Sequence, residues 1–410
     1  MPAVDFVEIA LEESPLNEQT FDDAVTPNRV STNKLYLPAR SAALTLGPAH
    51  LSRADELRGI LGSVPDLIDG YAPAGALSER AYWKDLTWLL ELAGFKGTFT
   101  AGGSLIADAD TTTITGVNAL NSPTVNVADT SLFPSSGTII FLATAVTYTG
   151  KTATSFTGCS SHPATTGGEL VTGQVPTGAS KWVFSKRDSI AAQTAQVRIN
   201  YAAENNLLEG HGYGISQLGL NAAGELTTAL MGLYLRRLAA DTTTVPSIPT
   251  SAVPPLRRGD LFLSWLSGGA TPTDFSLEIA NGLERFYGLS LLPSSFFPSE
   301  MDHGSEQVRV TGSIPKRVFD ADDWDALKNA STFAAKARWR STKTIAATAA
   351  FHTLWIEMPS CQLLAGDPEE QGNKRRVAAS YDFFAAYDET AGYDVKITLT
   401  NDVTAIATYA

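Results

Sequence analysis

Residues 394–400 read Asp394-Val395-Lys396-Ile397-Thr398-Leu399-Thr400, polar and apolar side chains alternating without a break. A period of two puts Val395, Ile397 and Leu399 on one face of a strand and the polar groups on the other. The same pattern sets Val308, Val310 and Ile314 against Gln307, Arg309 and Thr311. It also sets Phe275, Leu277 and Ile279 against Ser276, Glu278 and Ala280, and Val197, Ile199 and Tyr201 against Arg198 and Asn200. Strands with one apolar face favour antiparallel sheet over a doubly wound parallel one. The expected fold class is mainly β.

Helical spacing is rare. Tyr82, Leu86, Leu89, Leu90 and Ala93, between Ser78-Glu79 and Gly94, predict a helix over residues 79–94. A second helix is expected from Asp320, with Asp322 and Asp323 in its first turn and Lys328 in its last, the charge order a helix dipole favours. The aspartates at 320, 322, 323 and 325 lack the glycine-bearing loop and closing glutamate of a calcium hand, and read as capping residues.

The chain has 410 residues, 30 Lys+Arg against 43 Asp+Glu, a net charge of −13, 44% apolar residues and 18% charged ones. This excludes a disordered solvating chain, and an acidic balance argues against a reader of nucleic-acid sequence. No long uncharged apolar run suggests a spanning helix, and the acidic start MPAVDFVEIALEES does not resemble a secretory signal. Two cysteines, Cys159 and Cys361, do not make a disulfide framework, so a soluble protein made in a reducing cytoplasm is expected.

Composition divides the chain. Residues 101–180 hold 17 of its 44 threonines but only five charged side chains, Asp108, Asp110, Asp129, Lys151 and Glu169. Short β-rich runs separated by glycine there predict a small all-β module, inserted over residues 101–176. Pro246, Pro249, Pro254 and Pro255 mark a linker at 241–259. The expected organisation is an N-terminal arm (1–30), a first β domain (31–100 with 177–240), the insert, the linker, and a second β domain (260–410). Each half has alternating strands and one helix, a repeat of architecture without residue identity.

Chemistry is missing where it would be expected. His50, His162, His211, His303 and His352 have no ligand partner at metal spacing; His303 with Glu306 reads better as a polar turn than as half a site. There is no phosphate loop, dinucleotide fingerprint or nucleophile elbow. The run Gly210-His211-Gly212-Tyr213-Gly214 reads as a hairpin tip, Cys159 as a strand-end hydrophobe, and Cys361 as one following a Met-Pro-Ser turn. The basic clusters Arg236-Arg237, Arg257-Arg258, Lys316-Arg317 and Lys374-Arg375-Arg376 read as solvated strand ends or contacts to an acidic neighbour. No catalytic, cofactor-binding or metal-binding residue is assigned, and no enzyme is expected.

Several stretches, taken in order, resemble the tail tube proteins of long-tailed, non-contractile bacteriophages. They are Tyr82-Trp-Lys-Asp-Leu-Thr-Trp-Leu-Leu-Glu-Leu-Ala-Gly94-Phe, then Leu218-Gly-Leu-Asn221-Ala-Ala-Gly224-Glu-Leu with Met231-Gly232. Phe275-Ser-Leu-Glu-Ile-Ala-Asn281-Gly-Leu, Val310-Thr-Gly312-Ser-Ile and a closing Leu399-Thr-Asn401 follow. The resemblance implies β-sandwich or barrel domains with flanking helices, assembled into stacked rings around a tape-measure protein in the virion. Such a tube meets tail terminator and distal tail proteins, and DNA passes through it without specific binding and without a membrane anchor. The insert resembles a small β module of phage structural proteins and is optional in the tube family. Chain length favours two fused tube-type domains, three chains per ring, with six copies of one larger domain as the alternative. The rival class is a β-rich adhesive or carbohydrate-binding surface protein.

Overall fold

One-faced alternation becomes sheet nearly everywhere it occurs. The computed structural model describes residues 6–12, 33–37, 41–51, 67–187, 193–201, 206–238, 253–265, 274–287, 300–303, 308–316, 321–346, 348, 350–370 and 377–406. The chain enters through β1 (Phe6–Leu11), β2 (Leu35–Leu37), β3 (Ser41–Thr45) and a hairpin of β4 (Pro48–Leu51) and β5 (Leu67–Tyr71). β6 (Ala74–Arg80), helix α1 (Asp85–Leu92) and β7 (Phe95–Ala101) come next. The threonine-rich region supplies β8 (Ala107–Thr113), β9 (Thr124–Asn126), β10 (Gly137–Phe141), β11 (Thr144–Tyr148), β12 (Gly150–Lys151), β13 (Ser155–Thr157) and β14 (Leu170–Gln174). β15 (Ser180–Lys186), β16 (Ala195–Tyr201), β17 (Asn206–Asn221), β18 (Glu225–Met231) and β19 (Tyr234–Leu238) close the first half.

The second half holds β20 (Leu261–Ser264), β21 (Ser276–Ala280), a hairpin of β22 (Leu283–Phe286) and β23 (Glu300–His303), and β24 (Arg309–Lys316). Helix α2 (Ala321–Lys328), β25 (Thr332–Thr344), β26 (Phe351–Glu370), β27 (Val377–Ala386) and β28 (Lys396–Asn401) complete it. Every strand pairing among the described residues is antiparallel.

The spine is a continuous eight-strand run, β3-β6-β18-β17-β21-β24-β27-β26. β17 and β26 are long enough to leave this sheet at their N-terminal ends and enter a second layer. There β17 lies between β16 and β19, and β26 lies between β25 and β28. The core fills the space between the layers, and α1 lies within it: Leu86 and Leu90 meet Leu218, Leu226, Leu277, Ile279, Leu354 and Ile397.

The pairing pattern occurs twice. β3, a hairpin, β6, a helix, and a long strand with its successor (β17, β18) are matched by β21, a hairpin, β24, a helix, and β26 with β27. β6 lies between β3 and β18 as β24 lies between β21 and β27. Gly75 opposes Leu44 and Leu230 where Gly312 opposes Leu277 and Phe383. A Cβ at either glycine would sit 2.6 Å from Ala43 O or 2.5 Å from Ser276 O, so both positions exclude a side chain for the same reason. Both long strands carry a bulge in the same place, between Ile215 and Gln217 and between Leu363 and Ala365.

The halves are joined, not strung on a free linker. β17 pairs with β21, β15 pairs with β28, and one buried cluster runs from Val7 to Val403. Of the expected linker, residues 253–259 are described and pack on the first half. Trp83 Nε1 donates to Pro254 O at 3.0 Å, and Leu256 is buried. Within the expected N-terminal arm, residues 6–11 are a sheet member, paired with both β16 and β2.

Three local expectations are corrected. The first helix begins at Asp85, because residues 74–80 are strand β6, paired with β18 along their whole length and with β3 over 74–78, and cannot also coil. Gly94, at φ +88°, does end it. The glycine run 210–214 is the middle of β17, not a tip. The Tyr213 ring lies over Gly210 and Gly232, where any Cβ would collide with it. Met358, Pro359 and Ser360 lie inside β26, so Cys361 is a mid-strand residue with no exposed surface. The second helix begins and ends as its charges predict, at Ala321 and Lys328; Asp320 lies outside the described residues.

Residues 107–174 form sheets of their own, β11-β10-β14-β8 and β12-β13-β9, around Val125, Phe133, Ile139, Phe141, Phe156 and Val171. They leave and rejoin the body at the end of the β7–β15 hairpin, where Ala101 faces Ser180.

Candidate functional site

The eight-strand run has two unlike faces because its strands alternate. Leu44, Leu77, Leu226, Leu218, Leu277, Ile279, Val310 and Phe383 point into the core. The other face carries Ser276, Glu278, Arg309 and Asp382, all exposed, with Thr227 exposed on β18. This face is concave: an open hollow of about 830 Å³ is lined by residues of β17, β18, β21, β24, β26 and β27. Among the lining side chains, the carboxylates Glu225, Glu278 and Asp382 outnumber the single guanidinium, Arg309. Most of the rest are Gly, Ser, Thr, Asn and Leu, a smooth surface without an aromatic ring except Phe383, whose ring is buried. Such a face can pass or repel a polyanion; it offers no nucleophile–base pair.

Buried ionic chemistry exists, but it serves packing. Lys316 and Asp323 form a fully buried ion pair between β24 and α2. Lys316 was therefore misread as a solvated strand end: the ammonium is drawn inward by the helix aspartate. Arg257 pairs with Asp260 at 2.9 Å, and Arg258 is exposed. The side chains of Arg236, Arg237 and His303 lie outside the described residues, as do Glu306, Arg317 and the 374–376 cluster.

At the chain's start Glu12, with no exposed surface, accepts from Thr194 Oγ1 at 2.6 Å and lies 3.3 Å from His211 Nδ1. His211 Nε2 lies 2.8 Å from Glu209, which also accepts from Arg198 Nε at 2.6 Å. Burial opposes charge on His211, but the two glutamates outweigh it and hold the imidazolium up to about pH 9. The same contacts pull Glu209 down to about 2 against its own burial. This network clasps β1 to β17. Sequence spacing could not reveal it, because Glu12 and His211 are brought together only by the sheet.

The module is docked through charge as well. Asp110, in β8, pairs with Arg338 and accepts from Trp355 Nε1 at 2.7 Å. Arg338 and Arg340 both donate to Leu132 O, at 2.6 and 2.8 Å. Burial lifts the Asp110 carboxyl to about 6, with Arg338 opposing the rise. The module's rings Phe133, Phe141, Tyr148 and Phe156 are all buried.

Cys361 is a buried thiol pushed up to about 12, and Cys159 is half-buried and raised by burial. Among the described residues no cluster of three or more His, Cys, Asp or Glu could hold a metal, and no helix is long and apolar enough to cross a membrane. No protein-family model matches the chain, and no curated protein matches it.

Proposed function

We propose that this chain is a structural virion protein that assembles into stacked rings, the hollow tail tube of a long-tailed bacteriophage. The observation that carries the reading is the twofold repeat of one sheet topology, fused into a single concave sheet with a polar face. A repeated unit joined edge to edge within a chain is a unit that can also be joined between chains. Eight strands per chain, at a spacing of about 4.8 Å, give three chains a circumference of about 115 Å and a backbone diameter of about 37 Å before tilt widens it.

In this reading the concave face lines the lumen, and its excess of carboxylates discourages DNA and tape-measure protein from sticking. Three chains, each bringing two repeats, close a ring with threefold true symmetry and sixfold pseudosymmetry. The module stands on the outside, and tail terminator and distal tail proteins meet the ends. The burial of the module's four aromatic rings weighs against the adhesive, carbohydrate-binding alternative, which needs aromatics on the surface. Electron microscopy of the purified, concentrated protein tests the proposal. Rings or tubes are expected; uniform globules at every concentration and salt condition would refute it.

A further inference from the structure

One buried acid lacks a cation that its counterpart in the other repeat has built in. Among the described residues four glutamates are buried, Glu8, Glu12, Glu79 and Glu209. Lys34 pairs with Glu8 at 2.7 Å, Thr194 and His211 hold Glu12, and Arg198 pairs with Glu209 at 2.6 Å. Glu79 is 2% exposed, and neither of its carboxylate oxygens has a hydrogen-bond partner. Its electrostatic neighbour is a second buried acid, Asp85, in the first turn of α1. The adjacent ammonium, on Lys84, turns outward, with Nζ on Asp402 at 2.9 Å. Two acids in a dry place cost stability unless positive charge joins them.

The second repeat shows what fits there. Glu79 follows Gly75 on its strand and faces Leu226, as Lys316 follows Gly312 and faces Ala379. Lys316 crosses from the strand end to the helix and pairs with Asp323, one ammonium against one carboxylate. In the first repeat the strand end carries an acid instead, and the helix start still carries one. The same strand–helix junction therefore lacks the charge of one divalent cation.

We propose that Glu79 and Asp85 form a calcium site at the junction of β6 and α1. Both are carboxylates, hard oxygen donors that favour calcium or magnesium over zinc. Four carboxylate oxygens cover about half of the positions calcium takes, and water reaches the rest past Asp85, which is 7% exposed. Magnesium keeps several waters in a strict octahedron, which the sealed Glu79 side does not admit. The ion ties the end of β6 to the start of α1, as Lys316 and Asp323 tie β24 to α2. The site lies within one repeat of one chain and is independent of how copies assemble. In calcium-free buffer the pair is left to protons.

The test uses the full chain, stripped with a chelator and exchanged into metal-free buffer at about pH 8, where protons compete little. Calorimetric titration with calcium chloride should give one ion per chain with a Kd of about 10⁻⁵–10⁻⁴ M, and magnesium chloride should bind at least about tenfold more weakly. Calcium at roughly ten to a hundred times Kd should raise Tm by about 2–4 °C. Glu79→Gln and Asp85→Asn should each abolish both effects. Glu79→Lys, which supplies the ammonium of the second repeat, should melt at the same temperature with and without calcium. Circular dichroism establishes that each variant is folded before it is compared. Equal uptake by the wild-type chain and Glu79→Gln would put the ion on surface acids and overturn the site. No uptake by the folded wild-type chain would overturn it as well, leaving a shared proton between the two carboxyls. Magnesium binding as tight as calcium would overturn the choice of ion.

Discussion

Glu79 and Lys316 occupy the same place in the two repeats, at the end of the strand that precedes the helix, opposite Leu226 and Ala379. In the second repeat the position holds an ammonium that pairs with Asp323. In the first it holds a second acid beside Asp85: Glu79 is 2% exposed, and neither of its carboxylate oxygens has a hydrogen-bond partner. Burial first, and then Asp85, raises the Glu79 carboxyl well above its ordinary range, while burial lifts Asp85 to about 7 against the nearby Lys84.

Carboxyls raised on folding contribute stability that is full below their unfolded pKa, about 4, and is lost as pH rises through their folded values, about 7 for Asp85. Thermal stability should therefore fall as pH rises from 5 through 8. Glu79→Lys, which copies the second repeat, should flatten that fall and raise stability at pH 8 on the order of 1–3 kcal/mol. Melting curves across this range check it, and an unchanged slope would contradict it. Arg338 makes the opposite case. Arg338→Ala leaves Asp110 buried without its cation, and should cost about 3–5 kcal/mol by denaturant unfolding, the usual effect of breaking a buried pair.

At the scale of elements, the strands with one apolar face were legible because one side of each faces water. Phe275, Leu277 and Ile279 are buried, while Ser276 and Glu278 are exposed. α2 was legible for a related reason, with Asp322 and Lys328 on its exposed side, although Asp323 is buried against Lys316. α1 was misplaced at its start because Leu77 and Glu79 are inward-facing strand positions, followed by buried Ala81, whose spacing runs into the helix period without a break. The glycine run at 210–214 hid a strand, since glycine signals freedom in sequence but here makes room for the Tyr213 ring. The concave face was not legible at all, because Thr227, Glu278 and Asp382 share a surface only through the strand order.

The module is the element best suited to removal. It leaves through the β7–β15 hairpin, and that hairpin is already paired along its length up to Ala101 and Ser180. Replacing residues 103–177 by a short turn should leave assembly intact, with Arg338 exposed to water instead of buried. Ring counts by negative-stain microscopy check this. Loss of rings in a variant whose circular dichroism remains β-rich would make the module part of the wall.

For the whole molecule, the repeat sets the arithmetic of the ring. Two repeats share one core and one sheet, so the chain supplies two neighbouring sectors in fixed relation. A ring of six similar sectors then needs three chains. Native mass spectrometry of isolated rings measures this directly. The account predicts a ring mass three times the 43.6 kDa chain mass. Rings at six times that mass would contradict it.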